Sequence, residues 1–407
     1  MRRTVLSVAA ATAAVFTASA QSDTLLCRTR SGFAGITRES HRTTLVRTTC
    51  TAVPLIAAGA ALRTCDVEFN GMCRAWAPSF SNRTDDWLQY APAALMVGMK
   101  TCVYQSRSSW GRMLVSDAIS AAIMAAAVNA CKYSVRTMRP DGSARNSFPS
   151  GHTATAFMTA TMLRREYGCR SPWFGVGGYA AATTVAVMRQ LNNRHWMSDV
   201  MVGAGIGILA TELGYMFADM ILRDRGLLRD EETWSFDRFR RPLFFGVELA
   251  LACIPGHYDV GGRRISFAQG ASAALQGAWF FSPYAGIGGR FAVSRAGVRL
   301  DGSESGHTLE SLSASGGLCL SYPLSRRIAA GSRIAAGWEH RLACRIDPGT
   351  TIGRSGAVIG AGLSLSCVAA DNFGFRLGLD YDFAPAVVSG GQHLHRLTLG
   401  LGMSAMF

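Results

Sequence analysis

The pattern of apolar and polar residues along the chain changes once, near residue 223. From residue 51 up to that point, apolar residues occur in helix-length segments, with Asp85 and Asp86 before Trp87 and Pro172 before the fifth segment as helix start signals. The predicted helices lie near 52–63, 86–104, 110–136, 152–167, 172–190 and 196–222. This half is therefore predicted to be an all-α bundle.

Most of these segments are interrupted by charges too often to cross a bilayer. A spanning helix needs about 20 predominantly apolar residues. Only Ser171–Met188 approaches that length without an acidic or basic residue. We therefore expect the buried core of a bundle rather than a set of transmembrane spans, and a membrane-embedded bundle is the alternative.

Residues 224–242 are charged and predict a linker, and beyond them the apolar period becomes two, which is typical of β-strands. Connections after the second, fourth and sixth strand segments are short, whereas the others are longer and rich in Gly, Asp or Pro. An even number of strands with apolar outer faces and alternating loop lengths is typical of outer-membrane barrels. A soluble β-sandwich would explain the period but not the loops. The segments lie near 243–254, 264–279, 282–297, 307–321, 327–342, 353–368, 372–384 and 393–407.

The predicted fold class is thus an all-α helical bundle at 51–223 followed by an eight-stranded antiparallel up-and-down β-barrel at 243–407. The second half resembles the small outer-membrane barrels, and Phe407 at the end of an alternating strand is similar to the assembly signal of that class. Side chains fill the interior of an eight-stranded barrel, so a membrane anchor is expected rather than a pore.

Residues 1–20 have the features of a secretory signal peptide, with an arginine pair, an apolar stretch and the cleavage-site sequence Ala18-Ser19-Ala20. An Arg-rich lead-in follows at 21–50. The signal peptide predicts a mature chain outside the cytoplasm, in the cell envelope, and nucleic acid is therefore not expected as a partner.

The composition narrows the ligand class. The 407 residues are 49% hydrophobic, which excludes a disordered chain. The net charge is +14, and 39 of the 41 basic residues are arginine, whose planar fork suits phosphate and carboxylate groups. Eleven cysteines show neither a C-x-x-C pair nor zinc spacing, so the sequence assigns no particular disulfide pairing and predicts no metal site.

Two clusters in the helical half carry groups that could bind an anion. Lys132 and Arg139 are two helical turns apart and so lie on one helix face. Ser150, Gly151 and His152 lie where a turn enters a helix, and the unpaired N–H groups of a helix start bind anions. Taken singly, such residues more often balance a helix dipole or cap a helix.

A third cluster combines Arg189 with His195 and Asp199. The spacing of four residues puts His195 and Asp199 on one helix face, so the carboxylate could hold one ring nitrogen and leave the other free to attack. Taken alone, such a pair is usually a structural hydrogen bond.

Together and in this order, the clusters resemble the type 2 phosphatidic acid phosphatase (PAP2) superfamily, which includes soluble acid phosphatases and vanadate haloperoxidases. The family pattern reads Lys-x6-Arg-Pro, Pro-Ser-Gly-His and Ser-Arg-x5-His-x3-Asp. This chain departs from it only at Met188, where the family usually has serine. The resemblance covers about 115–223.

The resemblance implies a phosphatase that needs no metal or other cofactor and that vanadate inhibits as a phosphate mimic. In the implied mechanism His195 forms a phosphohistidine, Asp199 orients it, and His152 protonates the leaving oxygen and then activates water. The implied phosphate-binding residues are Lys132, Arg139, Ser150, Gly151 and Arg189.

The favoured function is an outer-membrane-anchored lipid phosphatase that faces the periplasm. Its substrates would be phosphate monoester or pyrophosphate groups of lipid A, phosphatidate-like lipids or polyprenyl pyrophosphates, or small phosphate esters. One alternative is a structural or transport barrel with a degenerate helical domain, and another is a vanadate-dependent haloperoxidase. The sequence predicts no oligomeric state.

Overall fold

The chain divides into two compact units, Met1–Trp234 and Ser235–Phe407. The structure, a computed structural model, describes residues 52–171, 173–223, 225–228, 243–324, 328–347, 350–370, 373–388 and 391–406. The predicted signal peptide, the Arg-rich lead-in, most of the linker and Phe407 lie outside the described residues. Within them, the first unit is helical and the second is built of strands, as the change of period predicts.

The helical unit follows the predicted segments closely. Five of its helices agree with the predicted bounds to within one residue, but 86–104 is two helices, and Asp66–Trp76 was not predicted. The helices are α1 (52–62), α2 (Asp66–Trp76), α3 (Asp85–Leu88), α4 (Ala91–Thr101), α5 (Trp110–Val135), α6 (Gly151–Tyr167), α7 (Trp173–Leu191) and α8 (Met197–Leu222), with a 3-10 turn at Arg63–Cys65.

Helix α8 is the centre of this bundle and packs against α5 and α6, while α6 also packs against α7. At Gly203 an added Cβ would lie 2.6 Å from the carbonyl oxygen of Ser150, so only glycine allows this approach. The amide of Ser150 also donates to the carbonyl oxygen of Asp199, at 3.0 Å. The first turns of α6 and α8 are therefore held side by side.

Two helices of the described residues, α5 and α8, are long and apolar enough to cross a membrane by length and composition. The count of uncharged residues, which picked out only 171–188, does not find these two helices, because isolated charged residues lie within both helices without ending them. In α8 78% of the apolar window is buried inside the unit, as in the core helix of a soluble protein, whereas in α5 only 17% is buried. Helix α5 therefore leaves most of its apolar surface uncovered by the rest of the unit.

The second unit is a large antiparallel sheet in which eight strands close a ring, in the order β1–β4–β5–β6–β7–β10–β11–β12 and back to β1. The predicted eight-stranded up-and-down architecture is confirmed. The strands are β1 (Leu243–Cys253), β2 (Tyr258–Val260), β3 (Arg263–Phe267), β4 (Gly270–Phe280), β5 (Ala285–Leu300), β6 (Ser303–Pro323), β7 (Ile328–Arg341), β8 (Cys344–Asp347), β9 (Thr350–Ile352), β10 (Gly356–Ala370), β11 (Phe373–Ala386) and β12 (His393–Met406).

The connections differ from the prediction at three places. The predicted strand 264–279 is broken into β3 and β4, and β3 pairs with β2, which lies in a segment predicted as a loop. The β8–β9 hairpin lies in another segment predicted as a loop. The predicted long loop between the third and fourth segments is a two-residue turn, Asp301-Gly302. Both turn residues have positive φ, at 50° and 86°, which is the Asp-Gly hairpin geometry that matches strand twist.

Buried polar and charged side chains fill the interior of the ring. Glu248 accepts from Arg290 at 2.8 Å, Glu339 accepts from Arg341 at 2.7 Å, and Arg396 forms an ion pair with Glu339 at 3.0 Å. Two cavities lined by side chains of the ring interior have volumes of about 10 and 20 Å³. Each is near the volume of a single water molecule, so the ring encloses packed side chains rather than a channel.

An apolar cluster lies at the end of the ring opposite Leu243 and Met406. Its buried members come from the two hairpins and from the strand ends beside them, and we call it the distal apolar cluster. It comprises Ile254, Tyr258, Val260, Ile265, Phe267, Ala296, Val298, Leu309, Ile346, Ile352, Val358, Ala384, Val387 and Leu394.

Candidate active site

The predicted site residues lie at the ends of four helices or in the loops beside them. The expected shared helix faces are wrong, because Arg139 lies in the loop after α5 and His195 lies two residues before α8. The charge of Arg189, in the last turn of α7, acts on the pKa values of His152, His195 and Arg139. Lys132, in the last turn of α5, acts on the pKa of His195 as well. The structure thus brings the three sequence clusters into one site.

His195 is almost fully buried, with 2% of its surface exposed. Its Nδ1 lies 2.9 Å from the carbonyl oxygen of Ser147. Because a carbonyl oxygen can only accept, Nδ1 carries the proton and Nε2 keeps its lone pair. The expected direct hydrogen bond between His195 and Asp199 is not formed, because Oδ2 of Asp199 lies 3.6 Å from Nδ1.

Asp199 holds the loop around His195 instead. Its Oδ2 accepts from the amide of Trp196 at 2.9 Å and from the hydroxyl of Ser147, the residue whose carbonyl receives the imidazole proton. The carboxylate therefore fixes both the loop before α6, which carries Ser147, and the backbone directly after His195 at the start of α8. Ser147 was not predicted, because its role toward His195 is played by its backbone.

Burial lowers the pKa of His195 to about 4, and the charges of Arg189 and Lys132 lower it as well, while Asp199 raises it. The imidazole is consequently neutral at physiological pH. A neutral ring with an unprotonated Nε2 is the form required of a nucleophile.

The cations of the site keep donors for an anion. Burial lowers the pKa of Arg139, and the neighbouring Arg189 lowers it further. The Nε atoms of both arginines are buried and have no hydrogen-bond partner in the described part of the chain. The ammonium of Lys132 donates to the carbonyl oxygen of Asn146 at 2.6 Å. Each guanidinium group carries several N–H donors and no acceptor, which suits a ligand with several acceptor oxygens.

The start of α6 adds backbone donors. Ser150 caps the helix by accepting from the amide of Thr153 at 3.4 Å, and its own hydroxyl proton stays available. A Cβ on Gly151 would meet nothing within 4 Å, so the space over this backbone is open. The capping role and an anion cradle are therefore compatible at this turn.

Asp85 and Asp86, which the sequence indicates only as helix start signals, have their carboxylates in the site. Oδ2 of Asp85 is 2.7 Å from a guanidinium nitrogen of Arg189, and Oδ1 of Asp86 is 2.9 Å from Nε2 of His152. Burial and Arg189 lower the pKa of His152, whereas Asp86 and then Asp85 raise it. Nothing in the local sequence indicated these contacts, because the partners are 104 and 66 residues away.

A family comparison covers this part of the chain. The PAP2 superfamily model matches residues 113–222, which contain every predicted site residue. Residues 113–222 are a PAP2 superfamily domain.

Other relatives resemble one half of the chain or the other. A protein named Lipid A 1-phosphatase, from Porphyromonas gingivalis, is 48% identical over 174 residues, which are 42% of this chain and 39% of that protein. A transmembrane PAP2-type phosphatidylglycerolphosphate phosphatase from Bacillus subtilis is 19% identical, with 42% of this chain and 96% of that chain covered and a TM-score of 0.33. Neisserial surface protein A is 11% identical, with 40% and 97% covered and a TM-score of 0.31. The match thus spans about two fifths of the length of the curated relative.

The PAP2 domain keeps Met188 where the family pattern has serine, and the structure buries this side chain beside Arg189 on α7. In the described residues, no group of three or more His, Cys, Asp or Glu side chains is placed to hold a metal ion.

Proposed function

We propose that this chain is a phosphatase that hydrolyses the phosphate group of a membrane lipid. The observation that carries the proposal is the buried, neutral His195, whose Nδ1 is hydrogen-bonded and whose Nε2 has no partner among the described residues. The charges of Lys132 and Arg189 act on this imidazole, and Arg189 also acts on Arg139. The relative named Lipid A 1-phosphatase makes a lipid A phosphate the first substrate to test.

In the proposed reaction, Nε2 of His195 attacks phosphorus, a P–N bond forms and the ester P–O bond breaks. His152 gives its proton to the leaving oxygen. Water then attacks the phosphohistidine and passes a proton to His152, which releases inorganic phosphate and restores both histidines. Arg139, Arg189 and the α6 amides meet the charge on the transferred group, which is normally the largest contribution to such catalysis.

We further propose that the strand unit anchors the chain in the outer membrane, with the PAP2 domain on the periplasmic side. Large apolar side chains are exposed on the outside of the ring, with Trp279, Tyr284 and Tyr322 toward one end and Trp338 toward the other, as in the aromatic girdles of membrane barrels. Leu243 and Met406 lie at the same end of the ring, so the chain enters and ends on one side.

Phosphate release by the full chain in detergent tests the activity. We expect turnover to disappear in His195→Ala and to fall by about 100-fold or more in Arg139→Ala, since each lost electrostatic donor typically costs that much. Arg170→Ala, which removes a cation bound to Gln105, should keep wild-type turnover. A folded His195→Ala protein with wild-type turnover would show that the site is wrongly assigned.

The substrate is tested with the same protein on lipid A, phosphatidate, a polyprenyl pyrophosphate and a soluble aryl phosphate. Preference for lipid A by ten-fold or more in kcat/KM supports the proposal, and equal rates on all four indicate a general phosphatase. Turnover should persist in EDTA and be inhibited by vanadate. Peroxide-dependent halide oxidation with vanadate would instead support the haloperoxidase alternative.

A further inference from the structure

The contact between Asp86 and His152 joins two elements of the site. Asp86 lies in the first turn of α3, and His152 lies in the first turn of α6. Their side chains are 2.9 Å apart, Oδ1 to Nε2, with 48% and 33% of their surfaces exposed.

We propose that Asp86 is a positioning residue for His152. Its carboxylate holds the imidazole through Nε2, so that Nδ1 is the atom that exchanges protons with the substrate and with water. This inference rests on the proposed phosphatase function and adds a residue outside the three sequence clusters.

The choice of nitrogen follows from the chemistry of the pair. An ionised carboxylate can only accept, so the proton between the two groups belongs to Nε2 of His152. In the imidazolium, Nδ1–H is then the donor to the leaving oxygen. After that transfer, Nδ1 carries the lone pair that takes a proton from water. Asp86 remains ionised throughout, and the proton count of the reaction is unchanged.

The electrostatic surroundings of His152 explain why an acid there needs a carboxylate partner. Burial and Arg189 of α7 both disfavour the imidazolium, and Asp86 and Asp85 of α3 favour it. Of the other elements packed on α6, α5 and α8 bring Lys132 and Asp199, whose charges act on His195, and α4 has no charged side chain before Lys100. If Asp86 is removed, the carboxylate that still favours the His152 imidazolium is Asp85, which is already paired with Arg189.

Asp85 and Asp86 are adjacent, but they serve different partners. Asp85 is 1% exposed and pairs with Arg189 at 2.7 Å, whereas Asp86 is 3.8 Å from the same guanidinium and closer to His152. Asp85→Asn should therefore affect phosphate binding, and Asp86→Asn should affect proton transfer. The two variants make the same chemical change one residue apart and are matched controls for each other.

Dependence on the leaving group distinguishes the two roles. An alkyl alcohol leaves poorly unless it is protonated, whereas nitrophenolate leaves readily without a proton, so only the alkyl ester depends strongly on the general acid. In single-turnover release of the leaving group, we expect Asp86→Asn to slow an alkyl phosphate by about 10- to 100-fold and nitrophenyl phosphate by no more than about two-fold. Asp85→Asn should raise KM for both esters alike.

The pH profile and a double variant complete the test. For the alkyl ester, the alkaline limb of the Asp86→Asn profile should move to lower pH, because the acid loses its proton earlier. Asp86→Asn should add no further loss in a His152→Ala background, and Asp86→Glu should restore part of the alkyl rate. Equal losses on both esters, or additive losses in the double variant, would overturn the inference.

A failure of the proposed phosphatase function would look different from a failure of this inference, because the wild-type protein would then hydrolyse none of the phosphate esters. The inference is still tested in that case by NMR titration of His152 in wild type and Asp86→Asn. The variant should titrate at lower pH, and identical titration curves would refute the positioning role.

Discussion

His195 is made reactive mainly by its removal from water. Burial disfavours the charged imidazolium and lowers the pKa to about 4, although Asp199 opposes the change. The unfolded chain has an ordinary histidine pKa and binds this proton already near pH 6.5. Stability contributed by the buried neutral ring is therefore present above that pH and is lost as pH falls from about 6.5 toward 4.

NMR titration of the full chain should show the His195 imidazole with a midpoint near pH 4, assigned by its loss in His195→Ala. Asp199→Asn should move the midpoint lower still, because it removes the charge that favours the imidazolium. The chain in concentrated urea is the control and should titrate near pH 6.5. A native midpoint at that value would contradict the assignment of His195 as a buried neutral nucleophile.

Gly151 and Gly203 offer a second comparison, since both are glycines of the site but only one is needed for packing. A Cβ at Gly151 enters open space, whereas at Gly203 it meets the Ser150 carbonyl at 2.6 Å. We expect Gly151→Ala to keep the thermal midpoint and to raise KM and the inhibition constant of inorganic phosphate. Gly203→Ala should lower stability by about 1–3 kcal/mol. An unchanged KM in Gly151→Ala would show that phosphate does not approach this backbone.

The site residues that the sequence revealed are those whose short spacings match the family pattern. The helical reason for two of those spacings is wrong, because α5 ends at Val135 before Arg139 and α8 begins at Met197 after His195. Asp86 and Ser147 were missed for a physical reason. Their partners are distant in sequence or are backbone atoms, and neither leaves a periodic pattern.

At the scale of elements, periodicity predicted which segments are helices and which are strands, because burial acts on one face of each. It did not predict the β2–β3 and β8–β9 hairpins, which are too short to show a period. The Asp301-Gly302 turn was available as an Asp-Gly signal between two alternating segments, but the flanking polar residues suggested a loop. The polar residues on both sides of this turn belong to β5 and β6, which continue past their apolar segments up to the turn.

The ion pairs of the strand unit should differ in their contribution to the free energy of unfolding, because some are buried and others are exposed to water. Glu339 is 1% exposed and binds two arginines, Arg341 and Arg396, whereas Glu304 is 82% exposed and lies 3.5 Å from Arg299. Glu339→Ala should cost about 3–5 kcal/mol, because it leaves buried cations without their partner. Glu304→Ala should cost about 1 kcal/mol or less. Denaturant unfolding in detergent micelles measures both, and equal effects would contradict the packed interior.

For the whole molecule, the packed interior of the ring and the distal apolar cluster predict an anchor that conducts no ions. The interior cavities of about 10 and 20 Å³ are separate and too small for a hydrated ion. Reconstituted full chain in planar bilayers should therefore show no stepwise conductance at neutral pH, with a known porin as the positive control. Regular single-channel steps from the pure protein would show that the interior opens.

Pairing of β1 with β12 has a kinetic consequence for the strand unit. One edge of the first strand can pair only after the last strand has been made, since Phe244 pairs with Met406 and Cys253 with Leu397. Contacts between residues so distant in sequence make folding slow, because a long loop must close before they form. Until β12 arrives, the edges of β1 and β11 both expose unpaired backbone amides and carbonyls, which can join strands of other chains. The nascent unit is therefore exposed to pairing with other chains throughout the interval between synthesis of β1 and closure by β12.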